Sequence, residues 1–315
     1  MLLKQMMEVY DLLDSAYADG QSVVNYLKSI WPEADAITYP LEGPLGVTHM
    51  VKCFIPGKNG KSSGGTAPTI GILGRLGGIG ARPEAIGFVS DGDGALAALT
   101  VASKLLYMKK CGDELEGDVF VSTHVCPDAP TQPHKPVAFM GSPVEMSQVN
   151  AEEISDNLDA IISIDTTKGN RIINHRGIAM SQTVKSGYIL KASEGLLDIM
   201  ERTTGELAYV FPVNMQDITP YGNDVFHINS IMQPATCTDA PMIGLAITTQ
   251  SAVAGCATGA CNFQDVEQAA RFCLEAAKDF GKEVLQFYDE KEYEHLVELY
   301  GSMKILQTLG MTERA

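Results

Sequence analysis

The chain has no apolar run near the ~18 residues a membrane-spanning helix needs, no dense Lys/Arg block and no Cys-x-x-Cys pair. The first absence excludes a transmembrane helix. The second, with a net charge of −16, argues against nucleic acid or an anionic membrane as partner, because both require basic patches. The third removes the usual zinc-knuckle spacing. The N-terminus has no secretory pattern: MLLKQMMEVYDLLDSAY carries Glu8, Asp11 and Asp14 among its apolar residues and reads as an amphipathic helix. Seven cysteines, an odd number, then point to free thiols and a cytoplasmic protein. The remaining composition, 45% hydrophobic and 20% charged over 315 residues, is that of an ordinary globular protein.

Strand-like and helix-like segments alternate. Residues 3–30 read as helical, 47–55 and 68–73 as strands, and 95–110 as a small-residue helix with Ser90 and Asp93 as candidate caps. Residues 118–125 read as a strand, 128–143 as a Pro-rich loop, 151–159 as a short helix and 160–164 as a buried strand ending at Asp165. Beyond these come a strand pair over 175–190, a helix over 193–204, strands at 207–213 and 242–248, a long helix at 264–281 and a helical tail at 284–309. This alternation predicts an α/β fold with helices on both faces of a sheet. With no repeat or low-complexity linker, one domain spans 1–315: a helical segment to residue 46, a core over 47–281 and a helical tail over 282–315.

Several turns carry chemistry. Gly74-Arg75-Leu76-Gly77-Gly78-Ile79-Gly80 follows a strand with dinucleotide-like glycine spacing, but Pro83, Gly87 and the SDGDG turn leave no room for the required helix. A tight turn is therefore favoured over a nucleotide-dependent oxidoreductase. Asp91-Gly92-Asp93-Gly94 opens a helix and reads as either a cap or a cation site. Thr123-His124-Val125-Cys126-Pro127-Asp128 clusters an imidazole, a thiol and a carboxylate where a strand meets a loop. Within it, His124 is equally a hydrogen-bonded core histidine or a functional one. Gly255 to Asn262, with Cys256 and Cys261, precedes the long helix and reads as a close-packed turn or an anion pocket. Tyr221-Gly222-Asn223-Asp224 with His227, and Thr236 to Asp239, are further polar turns.

The order of these pieces over about residues 47–281 resembles the co-catalytic zinc exopeptidases, the aminopeptidase and carboxypeptidase group of the phosphorylase/hydrolase fold. More narrowly, the chain is similar to an uncharacterised family, domain of unknown function 1177. The resemblance implies a three-layer αβα architecture with a mostly parallel mixed sheet. It places Asp91 at the bridging aspartate of the two-metal site and Asp165 at a later carboxylate ligand. The family's His-x-Asp ligand strand corresponds to Arg75-Leu76-Gly77, its paired glutamates to the Cys126-Pro127-Asp128 region and its last histidine to Gly255 or Cys256. Arginine cannot ligate zinc and glycine has no side chain, so the implied metal site is degenerate or rebuilt around one divalent ion, zinc or manganese, on Asp91 and Asp165. The expected catalytic set is His124, Cys126 and Asp128, with Arg75, Asp224, His227 and Cys256 contacting substrate. A thiol variant makes Cys126 the nucleophile and His124 its base. The implied activity is hydrolysis or binding of a small amide, peptide or amino-acid-like molecule. The alternative is a non-catalytic descendant that binds a ligand or partner protein, and a homo-oligomer remains open.

Overall fold

Apolar residues at helical spacing build the first two elements. In a computed structural model describing residues 2–135, 138–167, 169–252, 258 and 260–310, α1 (Leu3–Leu13) buries Met6, Val9 and Leu13, and α2 (Gly20–Ile30) buries Val23, Val24 and Leu27. The helix expected over 3–30 is thus two helices. Asp19 separates them, its carboxylate accepting the Ser22 N–H at 2.7 Å and starting α2 anew. The segment to residue 46 is also not wholly helical. It ends in β1 (Asp35–Gly43), which pairs antiparallel with β2 (Gly46–Ile55) through a tight hairpin. Pro40 and the acidic residues mask β1 in the sequence, and an edge strand tolerates a proline because one side of it has no ladder to supply.

The central elements follow the expected order. They are β3 (Ile70–Gly74), α3 (Asp93–Lys110), β4 (Val119–Val125), a small hairpin of β5 (Thr131–Gln132) and β6 (Phe139–Met140), and α4 (Met146–Glu153). Next come β7 (Ala160–Thr167), β8 (Gly177–Ser181), β9 (Val184–Lys185), β10 (Tyr188–Ile189), α5 (Glu194–Thr204), β11 (Val210–Phe211), β12 (Met242–Thr248), α6 (Phe263–Gly281) and α7 (Glu290–Tyr300). The hairpin lies inside the stretch expected to be loop. Helix α4 starts five residues earlier than the expected 151 and ends before Ile154, and β7 runs on past Asp165. The helical tail breaks after Tyr300 at Gly301, whose φ of 77° ends α7. The strand expected over 207–213 shrinks to two residues.

The sheet order is β1-β2-β4-β3-β7-β12-β8-β11, with β9 and β10 attached beside β12. Its central block, β4-β3-β7-β12, is parallel, while β1 with β2, β2 with β4 and β12 with β8 pair antiparallel, and the edge strand β11 runs parallel to β8. Strand alternation sorts side chains between two cores. Ile72, Val121, Ile162 and Leu245 meet the helices, with α3 and α6 at the centre. Leu73, Phe120, Ile161 and Ala246 face the other way, toward Ile231 and Met232. The second face is covered by α4 and by 3-10 turns at Met215–Ile218 and Ser230–Cys237. The two helical layers are therefore unequal.

Two glycines set how α3 meets the sheet. A side chain at Gly74 would lie 2.6 Å from the Gly94 carbonyl oxygen and 2.9 Å from Ala95 Cα. One at Gly94 would lie 2.4 Å from the Arg75 carbonyl oxygen and 2.6 Å from that of Ile164. Backbone against backbone, the start of α3 rests on the carboxyl ends of β3 and β7. The neighbours that would have to yield are main chain, so strain cannot relax through a rotamer. Gly94→Ala is expected to lower unfolding stability by about 1–3 kcal/mol in urea titration; a variant as stable as the parent would show that α3 is not seated on these carbonyls.

Candidate functional site

Parallel pairing aligns the carboxyl ends of β3 and β7. Gly74 pairs with Ile164, and the Arg75 N–H continues the ladder to the Ile164 carbonyl at 2.8 Å. Arg75 and Asp165 therefore follow as neighbours on adjacent chains. Alternation sends both to the face of Leu73 and Ser163, away from α3.

Arg75 is 1% exposed. Its Nη1 donates to Asn150 Oδ1 at 2.9 Å and to the Glu153 carboxylate, both on α4. Glu153 is fully buried, and burial raises its carboxyl above the ordinary range while Arg75 pulls it back. An isolated charge at this depth would be prohibitive, so each member requires the other. The Arg75 Nε and Nη2 groups have no hydrogen-bond partner among the described residues.

Asp165 is 8% exposed. Its Oδ1 accepts the Thr166 N–H at 2.8 Å and its Oδ2 accepts the Ser230 hydroxyl at 3.1 Å. Burial, reinforced by the nearby charge of Asp91 and opposed by Arg75, pushes its carboxyl up to about 7. Asp91 arrives from the 3-10 turn Ser90–Gly92 ahead of α3. That turn is held to β7 by the Thr166 hydroxyl, which donates to the Ser90 carbonyl at 2.6 Å. Asp91 Oδ2 accepts the N–H groups of Gly77 at 2.7 Å and Gly78 at 3.3 Å. The glycine-rich turn thus spends its amides on a carboxylate of this chain, which leaves no cradle for a pyrophosphate. Tyr221 completes the group. Its hydroxyl is raised by burial, lowered by Arg75 and raised by Asp165, with Ser230 lowering it further.

Asp93, expected as a cap, is instead the first residue of α3 and is buried; the N-cap position is Gly92. Burial pushes its carboxyl well up, with the Cys261 thiol opposing the shift and Asp91 adding like charge.

The His124–Asp128 segment takes a different role from the expected one. His124 is fully buried on β4. Its Nε2 donates to the Leu76 carbonyl at 3.0 Å, so in the neutral ring Nδ1 accepts the Thr48 hydroxyl at 2.7 Å. Burial holds its pKa down at about 4. A neutral imidazole with both nitrogens engaged anchors the 75–80 turn and has no lone pair left for a base. Cys126 is 2% exposed among Ala81, Val89, Ala129 and Met140, and burial pushes its thiol up to about 11, the opposite of an activated nucleophile. Asp128 is exposed at the far end of this loop.

Among the expected substrate contacts, Arg75 is at the strand ends. Asp224 is exposed at a left-handed φ of 59°. His227 Nε2 donates to the Thr219 carbonyl at 2.6 Å and its ring lies 4.7 Å from that of Tyr221, so it shapes the loop that carries the tyrosine. Cys256 lies outside the described residues. Asp217 ties that loop at its base, its Oδ1 accepting the N–H groups of Ile228 at 2.8 Å and Asn229 at 2.9 Å.

Asn150, Glu153, Asp217 and Ser230 were not singled out from sequence. Glu153 sits in an AEE triplet that reads as a solvated helix face, and nothing local marks it as the counter-charge of an arginine 78 residues away. Tyr221 was visible only as part of a polar turn.

The donor chemistry at the strand ends does not suit zinc. Two carboxylates and hydroxyls stand beside a fixed guanidinium. Among the described residues no three His, Cys, Asp or Glu side chains gather as a ligand set. No described helix is long and apolar enough to cross a membrane.

No curated protein matches the chain. Residues 40–310, which take in the whole parallel block and every residue described at the strand ends, match the family described as "Protein of unknown function (DUF1177)", and the chain belongs to that family.

Proposed function

We propose that the protein is a hydrolase-like enzyme acting on a small amide, peptide or amino-acid-like molecule, with the architecture of the zinc aminopeptidases and carboxypeptidases but without their metal chemistry. The observation that carries this reading is the pairing of Asp165, whose carboxyl is pushed up to about 7, with Asp91 at the carboxyl ends of parallel strands. Open α/β sheets place ligands at such strand ends. A carboxyl poised near neutral pH can act first as base and then as acid in one turnover.

In this mechanism Asp165, part-ionised near neutral pH, takes a proton from water as the water oxygen adds to the amide carbon. It returns that proton to the nitrogen as the C–N bond breaks. Asp91, held by two backbone N–H groups, keeps the Asp165 carboxyl in the useful range. The Arg75 guanidinium supplies positive charge where oxyanion character develops. His124 and Cys126 support the turn and take no part in proton transfer.

A second reading, the non-catalytic binder, is favoured by the sealed state of His124 and Cys126, which leaves the site without an imidazole base or a thiolate. The two separate on a panel of amides, dipeptides and N-acyl amino acids, assayed with and without added zinc or manganese. The enzyme reading expects turnover that Asp165→Asn reduces by ~100-fold or more. It also expects a limb near pH 7 in kcat/KM that moves to lower pH in Asp91→Asn, because a like charge is removed. Binding without turnover across the panel would support the binder. Stoichiometric metal that is lost in Asp91→Ala would restore a metal-dependent version.

The raised Asp165 carboxyl also makes a stability prediction. The folded protein holds this proton more tightly than the unfolded chain, whose aspartates titrate near ~4. The group's contribution is therefore most favourable at low pH and is lost as pH rises from about 4 to about 7. Asp165→Asn is expected to gain stability over the parent at pH 8 relative to pH 5, by on the order of 2 kcal/mol in denaturant titrations at the two pH values. An unchanged difference would mean that Asp165 titrates normally.

A further inference from the structure

The second face of the sheet is covered only in part. Helix α4 ends at Glu153, and the chain then returns to β7 through residues 154–158. A cleft of about 450 Å³ opens there, over the amino ends of β3 and β4 and the adjoining residues of β1 and β2. It lies at the opposite ends of the parallel strands from Arg75 and Asp165. Strand register builds its floor. Asp35 of β1 pairs with Phe54 of β2, Phe54 with Phe120 of β4, and Phe120 with Gly71 of β3, so the four stand in one row across the sheet. Gly71 leaves room for Leu158, whose Cδ1 would lie 2.8 Å from a Cβ at that position. Phe120 and Leu158 are buried, Phe54 is half-buried, and the exposed side chain of Ile37 walls the β1 side.

The charged groups around this floor are answered from within the chain, with one exception. Asp118 is buried and accepts the N–H groups of Gly57 at 2.8 Å and Ser62 at 2.9 Å, and the Ser62 hydroxyl at 2.8 Å. Lys61 donates to both oxygens of Asp159, at 2.6 and 2.7 Å. The Lys52 ammonium lies 3.5 Å from the Glu152 carboxylate and 5.3 Å from the centre of the Tyr39 ring. Asp35 is exposed and has no hydrogen bond or ion pair among the described residues. Two lysines set against Glu152, Asp159, Asp118 and Asp35 leave the cleft negative, in a chain whose net charge is −16.

An apolar floor with an unanswered carboxylate at one end selects a cation on an apolar body. An anion would meet Asp35 while both lysines are held by other acids. A cleft of this size, apolar at its base with a few polar groups at its rim, has the usual form of a small-molecule site. We propose that it binds a primary amine carried on an aromatic body. The ammonium pairs with Asp35 beside the Phe54 ring, whose face attracts cations. The body lies over Phe54 and Phe120 toward Leu158. Asp35 and Phe120 are two strand spacings apart, ~10 Å, a span that an arylethylamine covers while touching both. This is a second site, separate from the strand ends and independent of the hydrolase reading.

The test is calorimetric titration of the full chain at neutral pH with 2-phenylethylamine and tryptamine, each beside the alcohol of the same skeleton and the corresponding arylpropionic acid. At least one amine is expected to bind about tenfold more tightly than its alcohol, through an ion pair and a cation–ring contact together. It should bind more tightly still than the acid. Asp35→Asn, at an exposed position, is expected to cut the preference over the alcohol to about threefold or less. Phe54→Ala is expected to weaken amine and alcohol alike, by about fivefold or more. If Phe54→Ala does not fold, Ile37→Ser, at an exposed position on the same wall, replaces it. No binding of either amine, equal affinity of amine and alcohol, or tighter binding of the acid overturns the proposal. So does unchanged affinity when the apolar wall is altered. A preference that survives Asp35→Asn intact overturns it as well, because the amine would then be held by acids elsewhere on the molecule.

Discussion

A guanidinium buried beside a carboxylate is the constraint around which the strand ends are arranged. Removing Arg75 from water is tolerable only because Glu153 is buried with it and Asn150 takes a further N–H. Both partners lie on α4, so the short helix has to dock on that face of the sheet. The same charge acts on Asp165 and Tyr221, so the positions of α4, the end of β7 and the 217–229 loop are linked through one side chain.

Close backbone approach supplies the other half of the site. Gly74 and Gly94 let the start of α3 touch the carbonyls of Arg75 and Ile164, and the turn before α3 then places Asp91 over the strand ends. There its carboxylate satisfies the N–H groups of Gly77 and Gly78, and its charge raises Asp165. A glycine turn that looks like a nucleotide cradle is, in the folded chain, the seat of an aspartate. His124 holds the same turn from below through the Leu76 carbonyl. The residue types that suggested a reactive centre thus divide into two carboxylates at the strand ends and the framework beneath them.

Much of the architecture was legible locally. The runs that became β3, β4, β7 and β12 are continuous apolar stretches, as strands buried on both faces must be. The spacing of α3 and α6 is helical, and turn residues mark most boundaries. Where the reading failed, a local signal misled it. Pro40 and the acids hid β1, the acidic 151–159 stretch drew α4 too far along the chain, and apolar residues at 207–210 suggested a longer strand than the sheet edge accepts. Asp165 and Arg75 could be picked out because each follows an apolar strand, and Asp91 because it stands at the start of a helix. His124 and Cys126 could be picked out equally well, and the sequence had no means of telling the two groups apart.

What the chain determines by itself is the alternation of strands and helices and the residues that end the buried strands, because side-chain periodicity and turn chemistry act over a few residues. What only the tertiary structure decided is the charge state of those residues. Burial raises Asp165 and lowers His124, Glu153 answers Arg75 from another element, and Asp91 meets Asp165 across more than seventy positions. Desolvation and Coulomb interaction depend on distance in space, and no distance along the sequence encodes them.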